Sequence, residues 1–126
     1  MSSIVSVTSP EVPAPPPGTW SNCLVVDGIA YLAGATAPGD DEYSQAKGIF
    51  TKLKHLVEAA GGSMADIVKV TIFVTDIKNR EGVWKARQEF FTGNFPASTL
   101  VQVAALARPD VKVEIDAIAH IGASRR

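Results

Sequence analysis

The side chains best suited to chemistry lie near the end of the chain. In Val111-Lys-Val-Glu-Ile-Asp-Ala-Ile-Ala-His120 the residue types alternate. An extended strand therefore sends Lys112, Glu114, Asp116, Ile118 and His120 to one side, and Val111, Val113, Ile115, Ala117 and Ala119 to the other. Glu114 and Asp116 then share a face, roughly 7 Å apart by the strand rise. Carboxylates held on a partly covered face can accept and return protons near neutral pH. A second stretch, Phe95-Pro-Ala-Ser-Thr-Leu-Val-Gln-Val103, carries the hydroxyls of Ser98 and Thr99 into another strand pattern.

Other chemistries are poorly provided for. Cys23 is the only cysteine, so no internal disulfide can form. It adjoins the apolar run Leu24-Val-Val26 with no histidine nearby in sequence to activate it, and reads as a small buried hydrophobe. His55 and His120 are the only histidines and no pair has metal-ligand spacing, so neither a metal nor another cofactor is expected. His55 falls inside a helical pattern and reads as a packing or surface residue. With 12 basic and 13 acidic side chains the net charge is −1, which offers phosphate backbones and anionic lipid no broad positive surface; nucleic acid is not an expected partner.

These residues need a scaffold, and 126 residues suffice for one domain with a modest core. No apolar run approaches the ~20 residues of a bilayer span, and the start lacks the layout of a signal peptide, so a cytoplasmic protein is expected. Residues 1–18 read as an extended proline-rich arm that ends in Thr19-Trp-Ser21, because prolines lack amide donors and fix φ. Leu24-Val-Val26 and Ile29-Ala-Tyr-Leu-Ala33 flank Asp27-Gly28, a dipeptide suited to a type I′ hairpin turn, and Gly34 ends the second strand. Apolar residues at Ile49, Leu53, Leu56, Val57 and Ala60 predict a helix over about 43–60, stopped by Gly61-Gly62.

The β-branched run from Asp66 to Thr75 predicts a central strand covered on both faces. Val83, Ala86, Phe90 and Phe91 predict a second helix over about 80–91, with Asp76 and Asn79 as candidate N-caps. The expected order is ββαβαββ, an α+β fold with two helices on one face of the sheet. Simple alternation would then leave Thr71, Phe73, Ser98, Leu100, Gln102, Glu114 and Ile118 on the opposite face. That mixture is too apolar to leave wet and too polar for a dry core, which favours burial against further copies of the chain, with pockets at the seams.

Several stretches resemble the Rid family, also called the YjgF or endoribonuclease L-PSP family. Gly18-Thr-Trp-Ser21 is similar to its Gly-Pro-Tyr-Ser opening, and Gly34 matches the glycine ending its second strand. Val57-Glu-Ala-Ala-Gly61, Asp66 to Asp76, and the two C-terminal stretches resemble its other conserved blocks. The resemblance implies a homotrimer of chorismate-mutase-like fold with a small-molecule pocket at each subunit interface, and no membrane association.

The family's best-known activity is hydrolysis of reactive imines and enamines such as 2-aminoacrylate. By that resemblance Glu114 matches the catalytic residue that positions water. Trp20, Gly34, Phe73, Ser98, Thr99 and Leu100 match positions around the substrate. Ser98 stands where active members carry an arginine for the substrate carboxylate, Leu100 where a cysteine is common, and Trp20 where a tyrosine is common. A serine hydroxyl cannot make the bidentate charged pair of a guanidinium, so the expected substrate is an imine or enamine anchored differently from 2-aminoacrylate. Arg108, in the linker, is a candidate displaced cation. A non-catalytic metabolite-binding or regulatory trimer is the alternative, Glu114 then serving in a salt bridge. An endoribonuclease is disfavoured by the neutral charge and the lack of paired histidines.

Overall fold

The computed structural model describes residues 3–126. A single six-stranded sheet runs in the order β1-β2-β3-β6-β4-β5. Its strands are β1 (Val5–Ser6), β2 (Cys23–Val26), β3 (Ile29–Ala35), β4 (Ile67–Val74), β5 (Ala97–Gln102) and β6 (Val113–His120). Helices α1 (Glu42–Ala59) and α2 (Arg80–Phe90) pack together over one face. All strand pairs are antiparallel except β4–β5, which are parallel and joined through α2.

The predicted elements form for the expected local reasons. Asp27 (φ 51°) and Gly28 (φ 77°) both take the left-handed region, as a type I′ turn between β2 and β3 demands. Asp41 closes a capping box with Ser44, its carboxylate accepting from the Ser44 amide at 2.8 Å. Beyond α1, Gly61 continues the chain at φ 93°. Phe50, Ile49 and Leu53 of α1 bury completely against Val70 and Ile72 of β4 and Ile115 of β6. Cys23 lies in the same core, as its apolar neighbours predict, and burial pushes its thiol pKa up.

The structure departs from expectation in five places. Residues 1–18 are not wholly an extended arm: Val5–Ser6 pairs with β2, an edge strand too short to show a pattern. Strand β3 continues past Gly34 to Ala35, through a register irregularity between Leu32 and Ala35. Asp76 caps a 3₁₀ turn over Ile77–Asn79, and Asn79 does not cap α2: its amide donates instead to Glu42 Oε2 at 3.0 Å.

The fourth departure concerns β5, whose register is one residue off the alternation first drawn. Its parallel pairing sets Thr99 beside Thr71 and Val101 beside Phe73, on the open face; Ser98, Leu100 and Gln102 line up with Val70, Ile72 and Val74, on the helix side. Apolar residues of both parities, Leu100 and Val101, make the strand's own sequence ambiguous, and pairing with β4 decides. The open face of β4 is half-buried rather than covered, because both helices lie on the other side.

Candidate functional site

Strand β6 presents Glu114 and Asp116 on the open face, opposite Phe73 and Thr71 of β4. Glu114 is half-buried, and burial pushes its carboxyl pKa up, with the Asp116 carboxylate adding to the effect. Among the described residues Glu114 makes no salt bridge, so the ion-pair role is not what this chain alone offers it. The bend in β3 brings Gly34 directly against it: a Cβ at residue 34 would fall 2.9 Å from Glu114 Cδ. A glycine is therefore needed here for close approach rather than for an unusual φ. The arrangement is a carboxylate of elevated basicity lying on bare backbone and flanked by a ring, Phe73.

Gly34 also borders a cavity of about 180 Å³. Pro13, Pro15, Pro16 and Trp20 of the arm form one wall, and Lys52 of α1 faces them. The arm is held in place by Asn22, whose Nδ2 donates to the Pro13 carbonyl at 3.0 Å while its Oδ1 accepts from Trp20 Nε1 at 3.1 Å. Lys52 Nζ donates to the Thr36 carbonyl at 2.6 Å. Burial, with a smaller push from Arg108, pulls its pKa down. Lys52 lies beside the apolar stripe of α1, and only the folding of the arm over that helix makes it a cavity residue.

The remaining predicted residues sit elsewhere. Thr99 is on the open face, its hydroxyl accepting from Lys69 Nζ at 2.7 Å. Ser98 is exposed on the helix side of the edge strand, where its hydroxyl accepts from Arg87 Nη1 of α2 at 3.1 Å. Leu100 packs onto the core. Ser98 and Glu114 are two strands apart, about 10 Å by strand spacing, and on opposite faces. They cannot line one pocket within a single chain. Arg108 pairs with Asp110 at 3.3 Å, both side chains largely exposed at 64% and 71%, which makes it a solvated linker arginine.

The fold has known counterparts. The family model described as Endoribonuclease L-PSP matches residues 12–121. The chain belongs to the endoribonuclease L-PSP family. A protein of unknown function from Pseudomonas aeruginosa is similar to this family member over 97% of the chain and 95% of its own, at 36% identity and a TM-score of 0.90. RidA from the Antarctic bacterium Psychrobacter is 29% identical over 93% of this chain and 99% of its own, with a TM-score of 0.86. A YjgF-family protein from Mycobacterium tuberculosis is 27% identical over 94% of this chain and all of its own, with a TM-score of 0.82. The mixed sheet with two helices is thus the YjgF-like fold. No helix among the described residues of this L-PSP-family chain is long and apolar enough to cross a membrane.

Proposed function

We propose that the chain assembles as a homotrimer with small-molecule pockets at its seams, and that these pockets hydrolyse a small imine or enamine. The observation that carries this reading is Glu114: a carboxylate of raised pKa, packed on the Gly34 backbone and without an ion-pair partner among the described residues. The placement of Gly34, Phe73 and Glu114 on the open face, and of Ser98 and Leu100 on the helix side, fits two half-sites that a neighbouring copy completes. The half-buried open face, with Tyr31 and Val101 exposed on it, gives such a copy something to cover.

The chemistry follows from the carboxylate. Glu114 accepts a proton from water as the water oxygen bonds to the imine carbon, and passes that proton to the imine nitrogen, which leaves a carbinolamine and a free carboxylate. The carbinolamine then collapses: its hydroxyl proton leaves, the C–N bond breaks, and ammonia departs with the proton returned through Glu114. A carbonyl compound and ammonia are the products. A base whose pKa is raised toward the working pH suits both proton transfers. Packing on bare backbone keeps it in reach of a planar substrate.

Decay of imine absorbance, with the imine generated in situ, tests the reading. The wild type is expected to accelerate it, and Glu114→Gln to lose about 100-fold or more, in line with removal of a general base. Equal rates for the two proteins, with assembly intact by sedimentation, would overturn it.

A further inference from the structure

A cation lies under the proline arm, on the side of the sheet away from Glu114. The cavity of about 180 Å³ there is bordered by β3 and by Lys52 and Leu56 of α1, which puts it on the helix side. Glu114 and Phe73 stand on the open face and do not line it, and the backbone of Gly34 separates the two places. Every wall comes from one chain, so the cavity needs no second copy to complete it. Its volume falls below the roughly 300–1,000 Å³ of drug-sized sites, which limits an occupant to a few heavy atoms.

The walls and the cation suit opposite ends of one small molecule. Pro13, Pro15, Pro16 and Trp20 offer an apolar surface that is set before anything binds, because Asn22 accepts from Trp20 Nε1 at 3.1 Å and donates to the Pro13 carbonyl at 3.0 Å. Lys52 Nζ donates one of its three N–H groups to the Thr36 carbonyl at 2.6 Å, which leaves two. No carboxylate pairs with it: among the described residues the one salt bridge is Arg108–Asp110. Burial pulls the Lys52 pKa down, and the charge of Arg108, of like sign, acts in the same direction. A half-buried ammonium with spare donors and a like charge nearby is stabilised by an anion, and the apolar walls add a preference for an anion with a short chain.

We infer that the arm cavity is a second ligand site, one that takes a short-chain monocarboxylate with its carboxylate on Lys52 and its chain against Trp20 and the prolines. Two spare N–H donors match the two oxygens of a carboxylate. A phosphate would set its further oxygens against proline rings, where nothing donates to them. The site uses no side chain assigned to the seam pocket and does not depend on assembly.

Binding can be read at the wall itself. Trp20 and Trp84 are the only tryptophans, so a Trp84→Phe protein reports from Trp20 alone. Butyrate, butyramide and inorganic phosphate are titrated by Trp20 fluorescence and by ligand-observed NMR, in that protein and with Lys52→Gln, Lys52→Met or Lys52→Arg added. Butyrate is expected to alter Trp20 emission and to bind about tenfold or more tightly than butyramide, as for a charge-assisted contact over a neutral one. Lys52→Gln keeps a donor for the Thr36 carbonyl but removes the charge; it should abolish the preference and leave butyramide binding as it was, while Lys52→Arg keeps part of the preference.

Four results overturn the inference: equal binding of butyrate and butyramide, a preference that survives Lys52→Gln, butyrate binding seen by NMR with Trp20 emission unchanged, or displacement of butyrate by an equal concentration of phosphate. Melting temperatures show that each variant is folded, and Lys52→Met takes the place of Lys52→Gln if the latter is not. Imine turnover is measured separately. Butyrate selectivity at Lys52 without turnover upholds this inference and sinks the hydrolase, and turnover without butyrate selectivity does the reverse.

Discussion

Gly34→Ala should separate the chemistry of the site from its stability. The new Cβ would lie 2.9 Å from Glu114 Cδ and 3.1 Å from Cγ, both too close for van der Waals contact. What it meets is the far end of a flexible side chain, so the protein can relieve the clash by turning the carboxylate away. An off-rotamer side chain costs about 0.5–1.5 kcal/mol, and a turn to another well costs less. The melting temperature should therefore fall only slightly. The site should fall much further, because a displacement of about 1 Å of a reacting group costs on the order of 100-fold in rate.

Titration of the Glu114 carboxyl by carbon-13 NMR supplies a readout that needs no substrate, with Glu114→Gln to assign the signal. Burial raises this pKa in the wild type, and expulsion toward water should bring it back toward the ordinary glutamate range. The sign has a stability consequence: an acid whose folded pKa is raised favours folding below its unfolded pKa and opposes it once pH rises past the folded one. Gly34→Ala thus relieves part of that opposition at neutral pH.

Gly62→Ala is the control, since its Cβ would meet Asp66 Oδ2 at 2.7 Å and Ile121 Cδ1 at 3.0 Å, and Asp66 is fixed by three backbone amides. It should lose more stability than Gly34→Ala and leave the Glu114 titration alone. An unchanged titration and rate in Gly34→Ala, or a larger stability loss than in Gly62→Ala, would refute the reasoning.

Two other perturbations have a defined direction. Burial alone would raise the Asp66 pKa, but hydrogen bonds from Ser124, Gly122 and Ser63 outweigh it and bring it down to about 2. A depressed acid contributes stability above its unfolded pKa of 3.8 and loses it as pH falls through the folded value. The shift corresponds to about 2 kcal/mol for this buried carboxylate. Urea melts of Asp66→Asn and wild type should differ more at pH 7 than at pH 2, and a gap of the same size at both would contradict the assignment. Ser98→Arg sets a second guanidinium against Arg87, a like-charge cost of about 1 kcal/mol at an exposed edge. It should lower the melting temperature, and an unchanged or raised melting temperature would show that the two guanidinium groups do not meet.

The fold was legible where local chemistry and long-range packing agree. Asp27-Gly28 specifies its turn through backbone conformation, and the apolar stripe from Ile49 to Val57 specifies a helix face that any sheet would bury. Strand β1 was not legible, because Val5 and Ser6 are exposed and owe their conformation to pairing with β2 alone. Glu114 could be placed from alternation because one parity of β6 is wholly apolar. Strand β5 has Leu100 and Val101 on opposite parities, so only the parallel pairing with β4 shows which residue faces the acids. Lys52 and Arg87 left a weaker trace. Each borders a helical apolar stripe, at a position that packing can turn toward a neighbour or toward water.

Ser98 looks different once its register is fixed. By the family resemblance it reads as a guanidinium gone from the strand, with Arg108 of the linker as the candidate replacement. In space the edge of β5 is not short of positive charge, because α2 brings Arg87 over the same residue and the serine receives its hydrogen bond. A small hydroxyl at residue 98 leaves the guanidinium of residue 87 room at this edge and accepts one of its five N–H donors, so substitutions at the two positions are expected to be non-additive in their effect on stability.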